Sequence, residues 1–287
     1  MSKKAAANIS GARRLLACDL DGTLIADHGS VSGCAMQALE AAHRAGWIVV
    51  ISTGRSVVMV PGCLKRSHAI DAFITSNGAR VILHGGKTLF VDPIPRGAAL
   101  AVWSALVERG AATNLFFNGR ACFDRHAYAD LVGSRGRPIL RRVAILLRSL
   151  PYSRSKRGIC RRIRKSGAAI EKIGGFFPSC EAAADALSAL GKNDGLAVLT
   201  THGNDIEVTA AEASKGGALC RLCERFGVKQ GDVVVCGDSG NDLSMRAYCG
   251  LFAAPRNASN DVLAVADVIT EGAEKDGVAK WLLANLN

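Results

Sequence analysis

The sequence has no apolar run that approaches the ~20 residues needed for a membrane-spanning helix. Runs such as GWIVVIS have the length of a buried strand. The N-terminal stretch MSKKAAANISGARR lacks the apolar segment of a signal peptide, so we expect a loose basic tail over residues 1–13. Internal repeats and low-complexity tracts are also missing. These absences predict a cytoplasmic protein with no membrane span.

The chain has too few charged residues for wholesale disorder. Charged residues make up 21% of the 287 positions and hydrophobic residues 49%, so a sizeable core can be buried. This length predicts one large domain or two of ordinary size.

The 10 cysteines are scattered, and they lack the paired spacing of a zinc site. Several lie in apolar runs, among them Cys18, Cys34 and Cys236, so we expect reduced and mostly buried thiols. Cys220 and Cys223 form a single C-x-x-C with no second pair. Their spacing fits one face of a helix, which favours core packing over metal or redox chemistry.

Acidic residues are absent between residues 131 and 170, where 12 lysines and arginines occur. Subtracting these 12 charges from the +11 of the whole chain leaves −1, so the protein is near neutral apart from this segment. The segment could be a solvated face, a rim that attracts anionic substrates, or a surface for nucleic acid or acidic membranes. Tyr152 is its only aromatic residue, which gives little support for base stacking.

Alternating strand and helix patterns predict an α/β fold, a Rossmann-like doubly wound parallel sheet with an inserted α+β cap. The first third reads as βαβαβ, and the last third repeats that style. Between them, RVILHGGKTLFVD and LAVLTTHGNDIEVTA read as hairpins, which are typical of an antiparallel segment. We therefore expect a core over 14–84 and 211–287, with the cap over 85–210.

Polar residues that can perform chemistry follow the predicted strands of the core. Ligands of an open parallel sheet bind outside the carboxyl ends of its strands, so these residues can converge. They are Asp19, Asp21, Gly22 and Thr23 after the first strand, Ser52 to Arg55 after the second, Ser76 to Gly78 after the third, and Asp238, Ser239, Asn241 and Asp242 after DVVVCGD, with Lys215 opening the preceding helix.

This collection suits phosphoryl transfer. Several carboxylates with few neutralising cations favour a bound Mg²⁺, whereas a hydroxyl, glycine-turn amides and a lysine suit a phosphate oxyanion. Asp19 and Asp21, spaced i and i+2, could divide the work between a nucleophile and a proton shuttle. We expect the metal to hold nucleophile and phosphoryl group together.

Four motifs resemble those of the haloacid dehalogenase (HAD) superfamily, in particular its Cof-type phosphatase branch. They are DLDGT, STGR, SKGGAL and GDSGNDLSM, and SNGA and DGVA also look like that branch. The resemblance covers roughly 14–84 and 205–287. The middle of the chain resembles the large α/β cap of that branch mainly in its size and position. GDSGND also looks like sucrose-phosphate and mannosyl-phosphoglycerate phosphatases.

The resemblance implies a role for each matching residue. Asp19 is implied as the nucleophile that becomes an aspartyl-phosphate, and Asp21 as the general acid/base. The implied phosphate-binding residues are Leu20, Thr53, Gly54, Lys215 and Asn241, and the implied metal-binding residues are Asp19, Asp21, Asp238 and Asp242.

The resemblance further implies a small phosphorylated metabolite, often a sugar phosphate, as the substrate. The residues leave two alternatives open: a phosphomutase of similar fold, or a nucleic-acid- or anion-binding protein that uses the basic segment 131–170. Candidate cap contacts to the leaving group are Asn118, Arg120, Lys172, His202 and Glu207, and a structural or solvated role is the alternative for each.

Overall fold

The structure is a computed structural model that describes residues 13–26, 30–124, 153–165, 167–191, 194–200 and 203–286. Its strands, in chain order, are β1 (Leu15–Asp19), β2 (Ile48–Ser52), β3 (Ala72–Thr75), β4 (Arg80–Leu83), β5 (Thr88–Val91), β6 (Ala112–Phe117), β7 (Arg120–Asp124), β8 (Ser153–Arg154), β9 (Ile170–Phe176), β10 (Leu196–Leu199), β11 (Asp205–Ala210), β12 (Val233–Cys236), β13 (Leu251–Pro255) and β14 (Val268–Thr270).

The α-helices lie between these strands, and serines cap several of them. The hydroxyl groups of Ser32 and Ser214 accept backbone N–H bonds at the starts of the first helix and of the helix that begins at Lys215. The helices are α1 (Gly33–Arg44), α2 (Gly62–Arg66), α3 (Arg96–Glu108), α4 (Lys156–Arg164), α5 (Cys180–Leu190), α6 (Lys215–Phe226), α7 (Asn260–Val265) and α8 (Gly277–Asn285).

The larger sheet has eight strands in the order β14-β13-β12-β1-β2-β3-β4-β5, and it is parallel from β14 to β3. Its central strand β1 is buried on both faces: Leu16 and Cys18 pack towards α1 and α8, and Leu15 and Ala17 pack towards α6. This alternation explains the continuous apolar run of β1. The structure confirms the predicted doubly wound α/β fold.

The predicted hairpin β4–β5 forms, with Gly85 and Gly86 at positive φ, but it lies in the larger sheet. β4 pairs antiparallel with β3, and β5 pairs antiparallel with β4. The larger sheet therefore continues to Val91, beyond the boundary expected near residue 84. The division into core and cap domains stays a prediction.

The smaller sheet has six strands in the order β10-β11-β9-β6-β7-β8, and most of its pairs are antiparallel. Helices α3, α4 and α5 cover one face with a separate apolar core. Its hairpin β6–β7 turns at Asn118 and Gly119, both at positive φ. The sequence analysis missed this hairpin, although Asn-Gly between apolar runs is a strong hairpin signal.

Part of the basic segment is described, and it forms β8, α4 and the start of β9. Helix α4 buries Ile159 and Ile163 against the smaller sheet's core and exposes most of its cations. Residues 131–152, including Tyr152, lie outside the described residues.

All ten cysteines are free, and Cys223 packs into the core as expected of the C-x-x-C. More cysteines are exposed than expected, however, because Cys63 and Cys180 lie at the surface. In the part of the chain that is described, no helix is long and apolar enough to cross a membrane.

Candidate active site

The predicted site residues of the core meet at the carboxyl ends of β1, β2, β3 and β12. Asp19 is the last residue of β1 and pairs in register with Ser52 at the end of β2. On its other side β1 pairs with β12, where Cys18 lies opposite Cys236 just before the Asp238 loop. Adjacent parallel strands end at one edge of the sheet, so their following loops face the same space.

Lys215 lies between two carboxylates at the start of α6. Its Nζ donates to Oδ1 of Asp19 and to Oδ1 of Asp242, each at 2.7 Å, and the side chain is only 1% exposed. Burial alone would lower the pKa of Lys215, but the charges of the two carboxylates outweigh burial and raise it above the usual value. The two carboxylates therefore favour the charged form of Lys215 at the base of the site.

Three carboxylates gather round this lysine. Asp19, Asp238 and Asp242 offer oxygen atoms that all lie within 4.8 Å of one another. Burial, with the neighbouring charge of Asp242, raises the pKa of Asp238 to about 6, and burial likewise raises the pKa of Asp19 despite the attraction of Lys215. One lysine against three carboxylates leaves excess negative charge, which suits a divalent cation.

Asp242 organises the loop after β12 as well as binding Lys215. Its Oδ2 accepts the backbone N–H groups of Asp238 and Ser239, each at 3.0 Å. A Cβ on Gly237 would lie 2.6 Å from atoms of the Asp242 side chain. Asp242 is thus enclosed by its own loop, and glycine is needed at position 237.

Asp21 takes a different partner from Asp19. Arg55, from the loop after β2, donates from Nε to Oδ2 of Asp21 at 2.7 Å and from Nη2 to the other oxygen. The Asp21 side chain is half exposed and is not part of the group of three carboxylates. The two aspartates of DLDGT therefore have contrasting surroundings, one buried against a lysine and one held at the surface by an arginine.

Thr53 and Gly54 form the loop that leaves β2. The amide of Thr53 donates to the carbonyl of Ile74, and its hydroxyl accepts from the amide of Arg55 at 3.1 Å. A Cβ on Gly54 would lie 2.7 Å from Oδ1 of Asn77, so the close approach of Asn77 requires glycine. Leu20, whose amide is implied in phosphate binding, is fully buried between Asp19 and Asp21.

Residues of the smaller sheet contact this edge directly. Nζ of Lys172, on β9, donates to the carbonyl of Gly54 at 2.8 Å and to Oε1 of Glu207, on β11, at 2.5 Å. Asn77 donates to Oε2 of Glu207 at 2.7 Å and accepts from Nδ2 of Asn241 at 3.2 Å. Of the candidate cap residues, Lys172 thus reaches the site through the carbonyl of Gly54. Glu207 reaches it through Asn77, a residue that the strand-end pattern included without a role.

Other predicted cap contacts lie elsewhere. Asn118 and Arg120 flank the β6–β7 turn and line a separate pocket beside α4. His202 lies outside the described residues. Glu171, which no sequence signal marked, accepts from Ser76 at 2.8 Å and from Arg80 at 2.6 Å and so ties β9 to the larger sheet.

The sheet order and the acidic strand-end cluster define a Rossmann-like α/β protein with a second sheet beside its candidate site. A model of the family described as haloacid dehalogenase-like hydrolases matches residues 16–282. The chain belongs to this family, and it is a phosphatase.

Curated relatives agree with this membership, and a solved structure shares the fold. Phosphatase YwpJ of Bacillus subtilis is 28% identical over 290 residues, covering 94% of this chain and 98% of the relative. The 5-amino-6-(5-phospho-D-ribitylamino)uracil phosphatase YcsE of Bacillus subtilis is 27% identical over 279 residues, covering 94% and 96%. The solved structure of a HAD subclass IIB sugar phosphatase superimposes with a TM-score of 0.75 at 23% identity, covering 94% of this chain and 98% of that one.

Proposed function

We propose that this phosphatase hydrolyses a small phosphomonoester, a sugar or polyol phosphate, with Mg²⁺ and through an aspartyl-phosphate on Asp19. The observation that carries the proposal is the contact of Asp19 with Lys215 at 2.7 Å inside a cluster of three carboxylates. A buried carboxylate at a strand end, next to a fixed positive charge, is suited to attack phosphorus.

In the first half of the reaction, a carboxylate oxygen of Asp19 forms a bond to phosphorus as the bond from phosphorus to the leaving oxygen breaks. Asp21 gives its proton to that oxygen, so the product leaves as an alcohol. In the second half, a water oxygen attacks phosphorus, Asp21 takes the water's proton, and Asp19 is released as a carboxylate. Asp21 ends in its starting protonation state, and inorganic phosphate is formed.

The surrounding groups bind and orient the phosphate. Lys215 offsets the charge that the phosphoryl group brings next to Asp19. We assign phosphate contacts to the hydroxyl of Thr53, the amides of Gly54 and Leu20, and the amide side chain of Asn241, which Asn77 positions at 3.2 Å.

The acidic cluster fits Mg²⁺, because carboxylate oxygens are its preferred protein ligands and the cluster has too few cations of its own. We assign Asp19 and Asp238 as direct ligands, with the backbone carbonyl of Asp21. Asp242, whose oxygens bind Lys215 and the loop amides, supports the site from behind. When bound, the metal supplies electrostatic stabilisation of the negative charge on nucleophile and phosphate.

The cap side of the site supports a hydroxyl-bearing leaving group. Lys172 and Glu207 place a donor and an acceptor together beside the phosphate-binding loop. Among the relatives, YcsE is named for a phosphoribityl substrate, and the solved neighbour is named a sugar phosphatase.

The test measures phosphate release from sugar phosphates, polyol phosphates, nucleotides and p-nitrophenyl phosphate, in Mg²⁺ and in EDTA. We expect Mg²⁺-dependent release that Asp19→Asn abolishes while the circular dichroism spectrum is unchanged. Asp185→Asn, an exposed carboxylate paired with Arg109, is the matched control and keeps full activity. Turnover retained by Asp19→Asn refutes the mechanism, and isomerised sugar phosphate without free phosphate identifies a mutase instead.

A further inference from the structure

A second concave site lies in the smaller sheet's layer, beside the β6–β7 turn. It has a volume of about 370 Å³, and it is lined by Phe117, Asn118, Arg120, Arg162, Lys165, Gly167 and Ala168. Three different segments supply its walls: the hairpin turn, the end of α4 and the loop before β9. Small-molecule sites start at about this size.

This pocket is separate from the candidate active site. Phe116 and Phe117 are neighbours in β6, and successive strand side chains point to opposite faces. Phe116 lies under Nζ of Lys172, on the side of the phosphate-binding loop. Phe117 belongs to the apolar core beneath α3, α4 and α5, where Arg162 lies over its ring at 5.1 Å. The pocket and the active site therefore occupy opposite faces of the smaller sheet.

The polar groups that line the pocket are mainly donors. Arg120, Arg162 and Lys165 contribute three positive charges, and among the described residues no carboxylate pairs with them or lines the pocket. Asn118 uses its Oδ1 to accept from the amide of Ala169 at 2.9 Å, which leaves the Nδ2 group as a further donor. The carbonyl end of α4 brings about half a negative charge, which three full positive charges outweigh.

The pocket walls are held in place without a ligand. The amide of Asn118 donates to the carbonyl of Ala169 at 3.0 Å, so the turn and the loop before β9 are joined by two hydrogen bonds. Gly119 donates to the buried carboxylate of Glu171 at 2.6 Å. The cations are thus presented by a preorganised frame, which reduces the cost of binding.

We propose that this pocket binds the phosphate group of a small metabolite, at a site distinct from the one that hydrolyses the substrate. Guanidinium and ammonium groups that converge without an acidic partner match a multiply charged oxyanion. The Phe117 ring is covered by Arg162, so it offers no open face for a nucleic-acid base. The concave shape and the covered ring favour a small ligand over a polynucleotide. This site does not depend on the mechanism proposed for Asp19.

The test follows backbone amide signals of the full chain by nuclear magnetic resonance while inorganic pyrophosphate is added in EDTA and 0.15 M salt. We expect saturable shifts at Asn118, Gly119 and Gly167. The double variant Arg162→Gln with Lys165→Gln should raise the dissociation constant for pyrophosphate by at least about ten-fold. If the double variant does not fold, the single variant Arg120→Gln, at the start of β7, tests the same loss of pyrophosphate affinity.

The matched control is Lys156→Gln with Arg157→Gln, which removes two exposed charges from the first turn of the same helix, far from Lys165, but none from the pocket. Its dissociation constant should change by less than about three-fold, because salt screens distant charges. Shifts confined to Gly54 and Gly237 would place the anion in the active site and overturn the proposal. An equal loss of pyrophosphate affinity in the two double variants would also overturn it. So would a single-stranded oligonucleotide that displaces pyrophosphate and whose affinity falls equally in the two double variants.

Discussion

Arg55 holds Asp21 through both carboxylate oxygens, from Nε to Oδ2 at 2.7 Å and from Nη2 to Oδ1. Nη1 of the same guanidinium donates to the carbonyl of Met59 at 3.3 Å, which fixes the arginine to its own loop. The side chain proposed as proton shuttle is thus positioned by the loop that carries Thr53 and Gly54, although Asp21 itself lies just after β1. Arg55 therefore links the proposed proton shuttle to the loop that is proposed to bind phosphate.

Replacing Arg55 by alanine should lower kcat more than it raises KM. General acid catalysis contributes about 10²–10⁴-fold, and a free Asp21 side chain should lose part of that contribution. The loss should be large for an alkyl phosphate and small for p-nitrophenyl phosphate, whose leaving group needs little protonation. Steady-state kinetics on both substrates measures the difference.

The control for this variant is Arg109→Ala, which breaks a similar arginine–aspartate contact at the surface, with Asp185. This variant should leave kcat and KM for both substrates unchanged. Equal loss on both substrates in Arg55→Ala would show that Arg55 binds phosphate instead of positioning Asp21.

Lys215→Met should destabilise the fold as well as abolish activity. The methionine keeps the length of the chain but leaves the buried Asp19 and Asp242 without their shared cation. Removing one partner from a buried ion pair costs about 3–5 kcal/mol. Urea denaturation in EDTA measures the free energy of unfolding.

The matched change is Lys280→Met, which removes an exposed lysine that lies 3.9 Å from Glu271. An exposed pair contributes less than about 1 kcal/mol, so this variant should unfold almost as the wild type does. If the two lysine variants lost the same stability, the buried contacts of Lys215 would not contribute as the structure indicates.

The gathering of Asp19, Asp238, Asp242 and Lys215 could be predicted from the sequence, because each residue follows or precedes a recognisable strand. Strands that run parallel bring their carboxyl ends to one edge whatever the loops do. The roles of these residues stay predictions, but their convergence needed only the strand order.

The contacts across the two sheets could not be predicted in this way. The hydrogen bonds that Asn77 donates to Glu207 and that Arg80 donates to Glu171 depend on how the smaller sheet packs on the larger one. Neither partner of these bonds is near the other in the sequence. Likewise, the Gly85-Gly86 turn between two apolar runs predicted the paired strands β4 and β5 but not the sheet that they join, because edge pairing is set by tertiary packing.

Magnesium should raise the melting temperature of the wild-type protein in the absence of substrate. A ligand at 100 times its dissociation constant stabilises the native state by about 2.7 kcal/mol. Asp238→Asn removes a proposed ligand and should abolish this shift, whereas Asp267→Asn, an exposed partner of Arg246, should retain it. Thermal melts with and without Mg²⁺ measure the shift, and a full shift in Asp238→Asn would remove this residue from the metal site.

Lys172→Met should change which substrates are accepted. Lys172 is almost fully buried between the carbonyl of Gly54 and the carboxylate of Glu207, so its loss leaves that carboxylate without its cation at the cap side of the site. We expect KM for the best metabolite of the substrate panel to rise at least about ten-fold, as for one lost charged hydrogen bond. For p-nitrophenyl phosphate, kcat/KM should change much less.

The comparison that decides the role of Lys172 is Lys65→Met, an exposed lysine that donates to the carbonyls of Val57 and Val58 in the same loop region. This variant should keep the substrate ranking of the wild type. If Lys172→Met lowered kcat/KM equally for both substrates, Lys172 would act by holding the Gly54 carbonyl and thereby the loop that is proposed to bind phosphate. A selective loss would instead show that the ammonium group contacts the leaving group, because p-nitrophenol has no hydroxyl groups beyond the one that is phosphorylated.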